Sequence, residues 1–238
     1  PKRSKRRRMG GRLCCIRKRT ISSSAGPGWN TIVGFGSLWS EESARSSFPS
    51  LTNFRLGKLR GWKRVFAHPA AIFFERGIAR LESREFASLS IEQSKDDESF
   101  MVTLFEIKDQ DMPEFYEREE EFNVRKIKVL EVSGDMKGSS VDAFACTRGT
   151  DAEYIDRWGE QRFKNKYIDN GVSSIWGIAE DIYPCRVYLR HCVLAVSKRG
   201  EDIRNDFLDN TYLSDRTTTI RQYLERHPSI MDELPPPE

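Results

Sequence analysis

The sequence predicts an α+β protein: a small mixed β-barrel with short helices, followed by a C-terminal helical or irregular extension. Between residues 31 and 148 the chain contains many short apolar or alternating runs, and few helix-like segments interrupt them. That pattern is typical of a small closed, or nearly closed, barrel. The pattern changes after residue 148. We therefore expect three regions: a basic arm (1–30), the barrel (31–148) and an extension (149–238) that packs on the barrel.

The arm carries a block of like charges and is expected to be disordered. Residues 1–40 contain ten Lys or Arg and no Asp or Glu. An Arg-rich and then Ser-rich segment without acids is typical of an organelle transit peptide, and a plain solvated tail is the alternative. In a third interpretation Met9 is the true start. Myristoylation of Gly10 and palmitoylation of Cys14 or Cys15 would then anchor the chain to a membrane.

The barrel begins with a β-branched run, residues 31–33, that predicts a strand, and Gly34 and Gly36 follow it at once. Two glycines after a strand indicate a tight turn whose backbone N–H groups a ligand can approach. The residues around Gly34 and Gly36 do not match three familiar motifs: a dinucleotide fingerprint, a phosphate loop and a nucleophile elbow. A strand-end turn that binds nothing remains the alternative.

Further strands are predicted from short apolar or alternating runs. A short helix capped by Ser40 precedes them. The strand candidates are residues 54–59, 62–66, 72–74, 78–81, 86–91, 99–107, 122–132 and 141–146.

A second short helix is predicted between the strands at 99–107 and 122–132, with Pro113 in its first turn. Phe115, Tyr116 and Glu119 fall on roughly one face, which we expect to look inward. Burial would raise the pKa of a carboxyl on that face, as a general acid/base near neutral pH requires. The neighbouring acids are expected to point elsewhere: Glu117, Glu120 and Glu121. An acidic solvated helix without a special member is the alternative.

The extension is expected to contain a helix over 151–169, strand-like or irregular pieces over 173–178 and 183–196, and a helix capped by Ser214 and Asp215. It shows no catalytic constellation, and His191 and His227 are interpreted as structural or exposed. Because it is too apolar for a linker, we expect it to pack on the barrel, cover a site or bind a protein partner.

Composition restricts the class of protein. No run approaches the roughly 18 apolar residues of a membrane span. The net charge of +3 conceals an acidic body, because residues 41–238 hold 29 basic and 36 acidic residues. No specific nucleic-acid binding is therefore expected. Five scattered cysteines indicate a reducing, intracellular compartment, either cytoplasmic or an organelle. Cys185, His191 and Cys192 lack the paired spacing of a zinc site, so packed strand residues are the preferred interpretation and no metal is expected.

Two short motifs in this order resemble the gamma-glutamylcyclotransferase-like superfamily. The first is Phe35-Gly36-Ser37-Leu38 after a strand, and the second is Glu119 shortly before Phe122, which begins an Arg-containing strand. The resemblance covers about residues 31–148. It implies a mixed barrel, no cofactor, Glu119 as the catalytic general acid/base, and residues Phe35, Gly36, Ser37 and Leu38 as the substrate-binding turn.

The resemblance also implies the reaction, in which the α-amino nitrogen of a γ-glutamyl peptide or amine attacks its own γ-carbonyl carbon. The products are 5-oxoproline and an amine, and glutathione is a possible parent compound. Because the substrate supplies the nucleophile, the protein needs only to fold it, move protons and hold the oxyanion. The alternative is an inactive barrel that serves as a binding or assembly subunit, which the apolar Phe35 favours because the family has tyrosine there.

Overall fold

The computed structural model describes residues 26–94, 98–132, 138–178 and 181–235. Residues 1–25, which carry most of the predicted arm and its lipidation segment from Met9 to Cys15, lie outside the described residues. Within those ranges no helix is long and apolar enough to cross a membrane.

Nine strands and eight α-helices are assigned in the described ranges. The strands are β1 (Trp29–Gly34), β2 (Thr52–Arg60), β3 (Trp62–Pro69), β4 (Glu85–Gln93), β5 (Ser99–Lys108), β6 (Asn123–Glu131), β7 (Ser140–Thr147), β8 (Tyr183–Pro184) and β9 (Thr211–Tyr212). The helices are α1 (Glu41–Ser47), α2 (Ala71–Glu75), α3 (Met112–Arg118), α4 (Asp151–Trp158), α5 (Glu160–Lys166), α6 (Arg186–Ser197), α7 (Glu201–Asp209) and α8 (Ile220–Arg226).

Five strands close into a barrel, which confirms the predicted fold class. The order β1-β5-β2-β6-β7 is antiparallel throughout, and β7 returns to β1 through a parallel pairing of Phe144 with Ile32. The barrel is therefore closed and mixed. Its interior is apolar because inward positions alternate along each strand, as with Ile32 on β1 and Val129 on β6, both almost fully buried.

The extension continues the sheet beyond the barrel. β4 pairs with β7 in parallel at Ile91 and Thr147, and β3 lies antiparallel to β4. Two short strands of the extension then join this pair, β9 beside β3 and β8 beside β4. Residues after 148 are thus part of the main sheet as well as of the helices that cover it.

Arg64 on β3 fixes α7 to the barrel. Its guanidinium is fully buried between the rings of Phe100 and Phe207, at 4.8 and 4.6 Å from their centroids. Asp206 of α7 lies 3.5 Å from its Nη2, and Thr211 accepts a hydrogen bond from its Nε at 2.7 Å. The buried charge therefore has both an ionic and a neutral partner, which a desolvated cation requires.

Two strand predictions inside the barrel region were wrong. Residues 72–74 belong to α2, because the apolar run there forms one helical turn after Pro69 ends β3. Residues 78–81 make only an isolated bridge, between Arg80 and Glu85.

Three predictions in the extension also need correction. The helix expected over 151–169 is interrupted at Gly159, whose φ of 85° suits glycine. Most of 183–196 forms α6, so Cys192 is part of a helix and not of a strand. The final helix is capped by Thr219, while the carboxylate of Asp215 instead accepts hydrogen bonds in the preceding turn.

Candidate active site

A cavity of about 770 Å³ opens where the end of β1, α2, α6 and the chain after α3 meet. We call residues 119–122, which follow α3, the acidic segment, and residues 35–38 the glycine turn. Every residue of both borders this cavity. The two features singled out in the sequence, about eighty residues apart in the chain, thus face one space.

The glycine turn is held from within the barrel. The Thr103 hydroxyl of β5 lies 3.1 Å from the carbonyl oxygen of Gly34 and 3.0 Å from that of Leu38. Phe35 and Leu38 are buried, so the turn is anchored by apolar packing at both ends. Its position at the cavity wall therefore follows from β1 and β5.

Tyr188 of α6 closes over the turn. A Cβ built on Gly36 would lie 2.3 Å from the Tyr188 hydroxyl oxygen, so only glycine allows this approach. The ring packs between Phe66 and Phe73, with centroids 6.1 and 5.1 Å away. Burial and the nearby thiol of Cys192 and carboxylate of Glu119 raise the pKa of Tyr188 well above its usual value. The hydroxyl beside Gly36 consequently stays protonated.

Glu119 is the C-cap residue of α3, one position beyond the helix, and its side chain is 18% exposed and borders the cavity. Phe115 is inward and buried as expected, whereas Tyr116 is 40% exposed. The Glu119 carboxylate accepts a hydrogen bond from Arg118 Nε at 3.0 Å. Burial raises the pKa of Glu119, and the Arg118 cation opposes that rise. The group combines a raised pKa with access to the cavity.

The next two acids were expected to point elsewhere, and the structure instead buries both of them beside the cavity. Glu120 forms ion pairs with Arg162 and with Lys166, whose Nζ is 2.6 Å from Oε1. Glu121 accepts two hydrogen bonds at one oxygen, described below. Glu119, by contrast, pairs with its neighbour in the chain, Arg118.

The extension holds the acidic segment through its backbone. Trp158 Nε1 donates to the carbonyl oxygen of Glu120 at 3.1 Å, and Trp176 Nε1 donates to that of Glu121 at 3.0 Å. Arg157 Nη1 donates to the carbonyl oxygen of Phe122 at 2.6 Å. Residues beyond 148 therefore position one side of the site, while α6 covers the other.

Two further groups border the cavity. Burial and the Glu119 carboxylate raise the pKa of Cys146 well above its usual value, so its thiol is a poor nucleophile. His191, interpreted from sequence as structural or exposed, also borders the cavity; burial, with the charge of Lys198, lowers its pKa. Across the described ranges, no group of three His, Cys, Asp or Glu side chains could hold a metal ion.

Tyr188 and Cys146 are site residues that the sequence reasoning missed. Tyr188 lies within a run rich in Val and Leu that was interpreted as strand-like or irregular, although Cys185, Leu189 and Cys192 follow helical spacing. That spacing was the available signal for α6. It could not have indicated which face of α6 meets Gly36, some 150 residues earlier in the chain.

Solved structures give the comparison with known proteins, since no protein-family model and no curated protein match the chain. A gamma-glutamyl cyclotransferase aligns at 14% identity and a TM-score of 0.38, over 50% of this chain and 68% of that one. An uncharacterized human protein aligns at 17% and 0.39, over 51% and 68%. A yeast gamma-glutamyl cyclotransferase specific to glutathione aligns at 13% and 0.38, over 77% and 95%.

The chain is similar to two structures named as gamma-glutamyl cyclotransferases and to one uncharacterized protein. The fold assignment itself stands on this chain's own strand order.

Proposed function

We propose that this protein is a gamma-glutamylcyclotransferase-like enzyme that converts a γ-glutamyl peptide or amine into 5-oxoproline and a free amine. The observation that carries the proposal is the shared cavity of Glu119 and the glycine turn. A carboxyl of raised pKa then faces a turn that can hold a negative oxygen. A cavity of about 770 Å³ accommodates a peptide-sized substrate.

Proton transfer falls to Glu119 in this proposal. The Glu119 carboxylate takes one proton from the substrate's α-ammonium group, and the freed amine attacks the γ-carbonyl carbon. A C–N bond forms and the carbonyl oxygen becomes negative. As the oxyanion collapses, Glu119 gives its proton to the leaving nitrogen, whose C–N bond breaks, and the α-nitrogen releases its second proton to water. The released amine takes its second proton from water, so the protons balance.

The glycine turn and Tyr188 hold the substrate in this scheme. The turn, residues 35–38, would face the developing oxyanion or the substrate carboxylate. The hydroxyl of Tyr188 lies against Gly36 and remains a donor at neutral pH. A preorganised donor aimed at developing charge contributes more than one that must reorient. Both parts would also favour the folded-back conformer that ring closure needs.

The direct test is product formation. Purified protein is incubated with a panel of γ-glutamyl peptides and amines, and 5-oxoproline is measured by mass spectrometry. The same compounds acetylated at the α-nitrogen are the control, because they lack the nucleophile. We expect 5-oxoproline only from the unblocked compounds. If no member of the panel yields it, or if the blocked compounds yield it equally, the proposed reaction is wrong.

The second candidate is a barrel that binds without catalysing, as a binding or assembly subunit. The 3.0 Å ion pair between Arg118 and Glu119 favours it, since a paired carboxylate is a weaker base. In that case the extension would present the partner surface. Saturable binding of a γ-glutamyl compound without product, detected by calorimetry, would support this candidate against the enzyme.

A further inference from the structure

Glu121 joins three parts of the molecule at the wall of the cavity. Its Oε1 accepts a hydrogen bond from the backbone N–H of Ala71, 3.0 Å away, and another from the Tyr167 hydroxyl, 2.7 Å away. Ala71 begins α2, a wall of the cavity, and Tyr167 follows α5 in the extension. One carboxyl therefore connects α2 and the extension to the acidic segment.

This carboxyl is poised to change its charge near neutrality. Burial raises the pKa of Glu121 to about 7, against the hydrogen bonds from Tyr167 and Ala71, and the charge of Glu120 adds to the rise. An ionised carboxylate accepts shorter and stronger hydrogen bonds than a neutral carboxyl. Here these two bonds only partly offset burial, so deprotonation of Glu121 should loosen the hold on α2 and on Tyr167.

Three of the groups that face Glu121 keep their protons near neutral pH. Burial and nearby carboxylates raise the pKa of Tyr154 on α4, of Tyr167 and of Cys146 on β7, so all three stay protonated near neutral pH. Glu120 is already paired with two cations of α5. Glu119, two residues earlier, also has a raised pKa, but its carboxylate pairs with Arg118 and not with α2 or Tyr167, so those two contacts depend on the Glu121 proton.

We propose that Glu121 is a positioning residue whose protonation state sets how firmly α2 and the extension hold the acidic segment, so that the site responds to pH. The consequence for turnover rests on the proposed function. The linkage between Glu121 and folding does not, because it follows from the contacts alone. The protonated form favours the ordered cavity wall, so binding should weaken and turnover should fall as pH rises through the Glu121 titration.

The folding measurement comes first because it needs no substrate. A folded group that keeps its proton to about pH 7 stabilises the fold below its unfolded value near 4.5, and that contribution is lost as pH rises. The free energy of unfolding is measured by denaturant for wild type, Glu121→Gln and Tyr167→Phe between about pH 5 and pH 9. Tyr183→Phe, at an exposed tyrosine, is the matched control.

Wild type should lose stability relative to Glu121→Gln as pH rises. Tyr167→Phe removes a hydrogen bond that favours the ionised form, so its transition should move to higher pH, while Tyr183→Phe should match wild type. If Glu121→Gln does not fold, the shift in Tyr167→Phe decides alone. Parallel curves for wild type, Glu121→Gln and Tyr167→Phe would overturn the inference.

The turnover measurement then separates the two proposals. If wild type forms 5-oxoproline, its kcat/KM should fall as pH rises through the Glu121 titration, at higher pH in Tyr167→Phe, and without that limb in Glu121→Gln. An unchanged limb in both variants would overturn the positioning role while leaving the proposed reaction intact. If wild type forms no product and the folding curves still diverge, the proposed reaction fails and the Glu121 linkage stands.

Discussion

The Tyr188 hydroxyl oxygen lies so close to Gly36 that a Cβ at that position would stand 2.3 Å from it. These two residues are 152 positions apart and belong to α6 and to the turn after β1. Their contact joins the extension to the first motif of the barrel. It also makes the glycine a packing requirement.

Gly36→Ala should destabilise the protein by about 1–3 kcal/mol, the usual cost of overpacking. The double variant Gly36→Ala/Tyr188→Phe should recover much of that loss, because the next ring atom, Cζ, lies 3.5 Å from the new Cβ. Denaturant unfolding measures both. Gly26→Ala is the control, since nothing lies within 4 Å of that site. Equal losses in the single and double variants would show that the contact is not the cause.

Asp206→Ala should cost about 3–5 kcal/mol, because it leaves the buried charge of Arg64 without its carboxylate. Burial already lowers the pKa of Arg64 to about 10 despite Asp206. The comparison is Asp209→Ala on the same helix, whose pair with Arg221 is half exposed and should contribute about 0–1 kcal/mol. Similar losses for the two variants, in urea unfolding, would contradict the role given to Arg64.

His68 predicts a loss of stability in acid. Its ring is buried against Trp176, 4.4 Å between centroids, and burial with the charge of Arg148 lowers its pKa from 6.5 to about 3. The unfolded chain binds a proton at His68 below about pH 6.5 and the folded chain does not, so the contribution of this site falls as pH drops toward 3.

The check compares the free energy of unfolding of wild type and His68→Phe at several pH values. The advantage of His68→Phe should grow as pH falls, since phenylalanine cannot take the proton. His227→Phe, at an exposed histidine, controls for the substitution itself. A difference that is constant with pH would refute the assignment.

Much of the barrel could be predicted from local sequence. The sequences of β2 and β6 alternate with a period of two, and β5 is a nearly continuous apolar run. Both patterns are typical of strands, and all three segments are strands in the structure. Two of the wrong predictions share one cause. Residues 72–74 and 183–196 are apolar and partly β-branched, and in such runs composition does not separate a buried helix from a strand.

Only part of the candidate site could be predicted from the sequence. The glycine turn and Glu119 were identified because each lies in a short local pattern. The contributions of the extension come from contacts across the fold, such as Trp176 with the carbonyl oxygen of Glu121 and Tyr167 with its carboxyl. Such contacts depend on how α4, α5 and α6 dock, which no local spacing encodes.

The central claim concerns the carboxyl of Glu119, and substitution tests it most directly. Glu119→Gln keeps the shape of the side chain but cannot carry a proton, so 5-oxoproline formation should fall on the order of 10²–10⁴-fold. Glu117→Gln, an exposed neighbour that also borders the cavity, is the matched control and should retain the wild-type rate. Thermal unfolding verifies that both variants are folded.

The decisive measurement is therefore the kcat/KM for release of 5-oxoproline by Glu119→Gln beside wild type and Glu117→Gln. The account predicts near-complete loss in the first and none in the control. A folded Glu119→Gln protein that releases 5-oxoproline at the wild-type rate would contradict it.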